Sequence, residues 1–209
     1  MSAPDAAESV EGDEIATPTT WRFRLAKVIT EIFAPWALAM ALFLAVGWRS
    51  GPTGLAWGLL GAAITVIGPM AVIIGGVVAG RYTDHHLTTR EHRVIPLLIS
   101  AVLIVIGIGV LQVVGAPSDV VAVQAAMLGV LFVMGPITAL WKISFHTGIA
   151  GAAVAILSLV WGPGMLGLAV IVVLIGWSRT TLTHHSVLQV MAGPPVAIFA
   201  TTVPFLLVR

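Results

Sequence analysis

Beyond residue 20 the chain is a succession of apolar runs separated by short polar islands, with runs at 28–48, 54–80, 94–115, 120–141, 148–161, 165–177 and 187–208. Most approach the roughly 20 residues that cross a bilayer as a helix. None alternates residue by residue, as the shorter strands of a β-barrel would. The runs 148–161 and 165–177, divided by Gly162-Pro163-Gly164, are short for a span. They reach a sufficient length if residues of the neighbouring islands form their first or last turns. Glu31 and Pro35 interrupt the first run, and Pro194-Pro195 predicts a kink or break in the last, because proline removes a backbone donor and crowds the preceding turn. The pattern predicts an all-α fold, a polytopic transmembrane helical bundle of six to seven spans.

The first twenty residues differ in kind. Asp5, Glu8, Glu11, Asp13 and Glu14 stand among Ala, Ser, Thr and Pro with little to bury, which predicts a disordered acidic tail over 1–20 ahead of a helical domain over 21–209. A basic n-region and a small-residue cleavage site are both missing, so the tail does not read as a signal peptide. Composition agrees with the membrane reading: 58% hydrophobic and 9% charged residues exceed what a globule of 209 residues needs for its core. The formal net charge of +1 says nothing about partners, and the lack of a basic tract argues against a nucleic-acid partner. With no cysteine, disulfides, thiolate catalysis and cysteine-ligated metal are excluded.

With seven crossings, the islands at 81–93, 142–147 and 178–185 follow the second, fourth and sixth helices and emerge on one face, shared with the N-terminus. That face carries Arg22, Arg24, Lys27, Arg81, Arg90, Arg93, Lys142 and Arg179, against Arg49 and Arg209 on the other. The positive-inside rule makes it cytoplasmic, in the inner (plasma) membrane of the cell.

All of the chain's 6 histidines (His85, His86, His92, His146, His184 and His185) fall in these islands. Imidazole is costly in hydrocarbon and useful near neutral pH. Pooled on one surface, the islands supply cations, hydroxyls and imidazoles with few carboxylates. Such a mixture suits a phosphate ester, whose oxygens need Arg and Lys while an imidazole attacks phosphorus or moves a proton.

The spacing of these residues resembles the type 2 phosphatidic-acid phosphatase superfamily, the membrane relatives of vanadium haloperoxidases. Its signatures are Lys, six residues, Arg-Pro; then Pro-Ser-Gly-His; then Ser-Arg, five residues, His, three residues, Asp. Ser178-Arg179 followed after five residues by His185 resembles the third, Ser144 and His146 the second, and Arg93 with His86 in the Lys position the first. The departures are His86 for Lys, Pro96 displaced from Arg93, Ile143 and Phe145 for Pro and Gly, and Gln189 for Asp.

The resemblance implies a metal-independent phosphoric monoester hydrolase with no cofactor, acting on a lipid phosphate or polyprenyl-phosphate substrate. In it His185 is the nucleophile that becomes a phosphohistidine, and His146 protonates the leaving alkoxide and later activates water. His86, Arg93, Lys142, Ser144 and Arg179 hold the phosphoryl oxygens. Gln189 would accept the Nδ1 proton of His185, yet, unlike aspartate, cannot stabilise a developing positive charge. Asp84 is a carboxylate able to substitute. A cytoplasmic site favours a polyprenyl-phospho-sugar phosphate, phosphatidylglycerol phosphate or phosphatidylinositol phosphate.

Plainer readings compete. His92 and Arg90 read as headgroup contacts, and Lys142 also suits a helix end. Trp21, Trp48, Trp141, Trp161 and Trp177 read as an interfacial belt. Gly75-Gly76 and the small residues of 148–153 read as close-packing surfaces, and Glu31 as the partner of an island cation. The competing function is a non-catalytic membrane protein that binds an anionic lipid or partner through the same basic pocket. A haem carrier is disfavoured because its histidines would lie at two depths, and no intramembrane relay beyond Glu31 suggests a transporter.

Overall fold

In a computed structural model, residues 20–81 and 94–209 are described. The expected acidic tail, apart from Thr20, and the first island, apart from Arg81, lie outside them, and with them His85, His86, His92 and Arg93. Helices occupy nearly all of the rest: α1 (Trp21–Ile32), α2 (Pro35–Arg49), α3 (Gly54–Ala62), a π-helical turn (Ala63–Ile67), α4 (Gly68–Val78), α5 (Val94–Val113), α6 (Ser118–Leu140), α7 (Phe145–Trp161), a 3-10 segment (Pro163–Leu168), α8 (Ala169–Thr181) and α9 (Val187–Val208). Among the described residues five helical stretches are long and apolar enough to cross a membrane, and six if the bent pair α1–α2 is one span. Helix α7 is apolar but only 17 residues long. These helices, with many large apolar side chains facing outward, are those of a membrane protein.

The element boundaries follow from local chemistry. The expected first run is two helices meeting at 44°. Pro35 disfavours a helical conformation at the residue before it, and Ala34 is extended (ψ 147°), so α2 restarts with proline in its first turn. Helix α7 takes Phe145, His146 and Thr147 into its first turn, and α8 takes Ser178 through Thr181 into its last, so island residues lengthen both short runs.

Of the expected kink or break at Pro194-Pro195, the break does not occur: α9 runs unbroken through both and through Pro204. Pro194 deprives the carbonyl of Val190 of its helical donor, and the hydroxyl of Thr147 donates to that carbonyl at 2.9 Å. Such replacement from a neighbouring helix is what lets proline persist inside a membrane helix.

Glycine sets how closely the helices approach. Side chains at Gly47, Gly54 and Gly58 would meet the facing backbone of Gly54, Gly47 and Phe43, so α2 and α3 form a tight hairpin. Gly129 lies against the carbonyl of Ala200, joining α6 to α9. The small residues of 148–153 do mediate packing, since Gly148 abuts Met134 and Gly151 abuts Pro194. Gly75, expected to do likewise, faces open space.

Two clusters form the core, one around Phe43, Leu111, Val120, Ile156 and Phe205, the other around Val130, Met134, Ile143 and Ala197. Within the bundle Thr65, on the π-helical turn, donates to Oε1 of the fully buried Gln124 at 2.6 Å. At one end of the bundle Arg209 pairs with Asp119 (2.8 Å) and donates to the carbonyl of Leu159 (3.1 Å), while Arg49 lies 5.2 Å from the centre of the Trp161 ring. The candidate site occupies the other end.

Candidate functional site

Helices α7 and α9 both begin at that other end and run side by side in the same direction. Ser144, the N-cap of α7, donates its backbone N–H to the carbonyl of Gln189 in the first turn of α9 at 3.2 Å. One turn on, Thr147 reaches Val190. Gly193 makes the approach possible: a Cβ there would stand 2.5 Å from Oγ1 of Thr147 and 2.7 Å from the carbonyl oxygen of Ser144. Two helix N-termini with their outward N–H groups therefore share one junction, a disposition favourable to an anion.

The C-terminus of α8 completes the junction. Its last turn carries Ser178, whose hydroxyl is 3.0 Å from that of Thr30 on α1, and Arg179. The helix closes with the N–H of Thr183 on the carbonyl of Thr180 (3.0 Å) and that of His184 on the carbonyl of Arg179 (3.1 Å). This is the Schellman arrangement, which places residue 183 in the left-handed region. Helices α4 and α5 end in the same way, each with glycine at that position (Gly80, φ +69°; Gly115, φ +76°). Thr183, at φ +55°, is the one non-glycine residue with positive φ among those described. A β-branched residue there is strained, and the strain sits directly before the His184-His185 pair.

Of the sequence-predicted residues, the structure brings together those of the second and third islands. Nδ1 of His185 donates to the backbone carbonyl of Lys142 at 3.0 Å, joining the two islands directly. That tautomer puts the imidazole lone pair at Nε2. His146, in the first turn of α7, is 6% exposed and Arg179 5%, whereas His185, His184 and Lys142 are half-buried. A guanidinium so thoroughly removed from solvent is costly unless its charge is met by a partner or a ligand.

Two expected roles meet a different geometry. Ser144 is fully buried and its hydroxyl accepts from the N–H of Thr147 at 3.5 Å, as a helix cap. Gln189 forms a capping box with Ser186: its Oε1 accepts from the N–H of Ser186 (3.0 Å), and its own N–H donates to the Ser186 hydroxyl (3.3 Å). The Nδ1 partner assigned to Gln189 by resemblance is, in the structure, the main-chain oxygen of Lys142. His86 and Arg93, with the alternative carboxylate Asp84, fall outside the described residues.

Thr147, Thr30 and Thr183 escaped the sequence reading. Thr147 had a signal: a proline inside a helix strips the carbonyl four residues earlier of its donor, so Pro194 announced that Val190 would need one. Among the described residues no group of three or more His, Asp or Glu is placed to hold a metal ion. Comparison of the chain with protein-family models, with curated proteins and with solved structures finds no match.

Proposed function

We propose that the chain is a membrane lipid-phosphate phosphatase that hydrolyses a phosphomonoester on a lipid or polyprenyl-linked substrate through a phosphohistidine. The observation that carries the reading is the meeting of two sequence-distant islands at one end of an apolar bundle. There His185 is oriented by the Lys142 carbonyl, and His146 and Arg179 are buried at the same junction. Its resemblance to the phosphatase signatures supplies the roles.

Nε2 of His185 attacks phosphorus as the P–O bond to the lipid breaks, and His146 gives its proton to the departing alkoxide. His146 then takes a proton from water as that water attacks the phosphohistidine, releasing phosphate and restoring His185. Arg179, Lys142 and the N-termini of α7 and α9 offset the charge on the phosphoryl oxygens, with Arg93 and His86 contributed by the first island. Ser144 acts chiefly by fixing the start of α7, and Gln189 by fixing the start of α9.

The proposed topology has seven crossings, the pair α1–α2 counting as one and α7 as another. Arg22, Arg24, Lys27, Arg81, Lys142 and Arg179 lie on the side of the site and only Arg49 and Arg209 on the other, which favours a cytoplasmic site in the cell's inner membrane.

The engagement of Gln189 in a helix cap favours one competing reading, a non-catalytic protein that binds an anionic lipid through this pocket. Phosphate release from phosphatidylglycerol phosphate, phosphatidylinositol phosphate and a polyprenyl-phospho-sugar phosphate by purified protein decides between them. Turnover that His185→Ala and His146→Ala abolish supports the enzyme, and binding without turnover supports the alternative.

A further inference from the structure

Between α8 and α9 the bundle surface carries an apolar groove of about 360 Å³, with Val173, Gly176 and Thr180 on one wall, Val190 and Met191 on the other and Thr147 at its base. We infer that this groove seats one hydrocarbon chain of the lipid whose phosphate occupies the site, an inference that rests on the phosphatase reading. Other apolar grooves among the described residues include one walled by α5 and α6 alone and one walled by α2, α4, α5 and α6 with Phe145 and Ile149 of α7. Of these three, the α8–α9 groove is the one bounded by all three helices that carry the described site residues.

Its two ends differ in a way that suits a lipid. At the site end Thr180 adjoins Arg179 in sequence, and Thr147 is one turn from Ser144 and donates to Val190. From Thr180 back to Val173 the wall is apolar and descends for about 10 Å along the helix at 1.5 Å per residue. A chain leaving a phosphate held near Arg179 therefore enters the groove without crossing a polar surface. Gly176 keeps it open: a Cβ there would already stand 2.8 Å from Cγ1 of Val190. The outer rim residues Val173 and Met191 are 70% and 67% exposed, so the groove opens sideways, toward where bilayer lipid would lie.

The test pairs a long-chain substrate, dioleoyl phosphatidic acid, with butyl phosphate, whose chain is too short to enter far. Two variants obstruct the groove, Gly176→Leu from within and Val173→Trp from the rim. The second leaves the close approach of α8 and α9 intact. Both are expected to raise KM for the dioleoyl lipid by about 10-fold or more, the loss of contact with a few methylenes, and in Val173→Trp kcat/KM for butyl phosphate changes less than about 2-fold. In Val173→Trp an equal fall for both substrates, or no change for either, overturns the groove assignment and leaves the phosphatase reading standing.

A phosphatidic acid carrying a diazirine on its acyl chain gives a readout independent of turnover. Labelling at Val173 or Met191 that Val173→Trp suppresses supports the groove, and labelling confined to the α5–α6 face overturns it. Absence of turnover by the unaltered protein on both substrates and on the three lipid phosphates named above, with labelling still in the groove, rejects the phosphatase reading alone.

Discussion

Nδ1 of His185 donates to the main-chain carbonyl of Lys142 at 3.0 Å, so this nitrogen is held by a backbone oxygen rather than by the carboxamide of Gln189. A backbone oxygen survives any substitution at 142 or 189. Gln189→Ala is therefore expected to keep turnover within about 10-fold of the unaltered protein and to cost about 1 kcal/mol from the broken capping box. Phosphate-release rates and thermal midpoints in detergent check both parts. A fall of about 10⁴, the size seen when a triad loses its orienting acid, would contradict the assignment.

The Thr147 hydroxyl replaces the donor that Pro194 removes. Thr147→Val, close in shape, leaves the carbonyl of Val190 without that bond and is expected to destabilise the protein by about 1–3 kcal/mol. Thr147→Ser retains the hydroxyl and should recover most of the loss. Equal thermal midpoints for the Val variant and the parent would show that the bond carries no weight.

Gly193 and Gly75 are predicted to respond in opposite directions to the same change. Alanine at 193 would press on the Ser144 carbonyl and Thr147, forcing α7 from α9, at a cost of about 1–3 kcal/mol and with loss of the site. Alanine at 75 meets nothing within 4 Å and is expected to leave stability unchanged or raise it by up to about 1 kcal/mol. Thermal midpoints measured side by side decide, and similar losses at both positions would count against the packing argument.

Thr183 occupies a conformation that the equivalent positions of α4 and α5 give to glycine. Relief of about 1–2 kcal/mol of left-handed strain in Thr183→Gly is set against about 0.5–1 kcal/mol for the greater freedom of glycine when unfolded. A net gain of roughly 0.5–1 kcal/mol is expected from that difference, read as a raised thermal midpoint. A lowered midpoint would mean that the Thr183 side chain makes contacts worth more than the strain.

The helical architecture was legible because membrane helices must satisfy their backbone internally, so a long apolar run has few other fates. The junction of the second and third islands was legible as well, by parity and motif spacing. Pairings that depend on main-chain atoms were not. Nothing in the side chain of Lys142 announces that its carbonyl meets His185, and Gln189 reads equally well as an acid's replacement or as the third residue of a capping box. The break before Pro35 and the continuity through Pro194 turn on the same residue type. Phe33 and Ala34 leave the helical conformation ahead of Pro35, whereas Val190 gains a donor from another helix, which is a tertiary fact.

The most direct test of the account is to trap the covalent intermediate. Purified protein would be mixed with a lipid substrate carrying a radiolabelled terminal phosphate and quenched in alkali, where phosphohistidine persists. The account predicts label on the peptide containing His185, its loss in His185→Ala and its accumulation in His146→Ala, in which water is no longer activated. Steady phosphate release with no label at His185, or release that His185→Ala leaves intact, would contradict it.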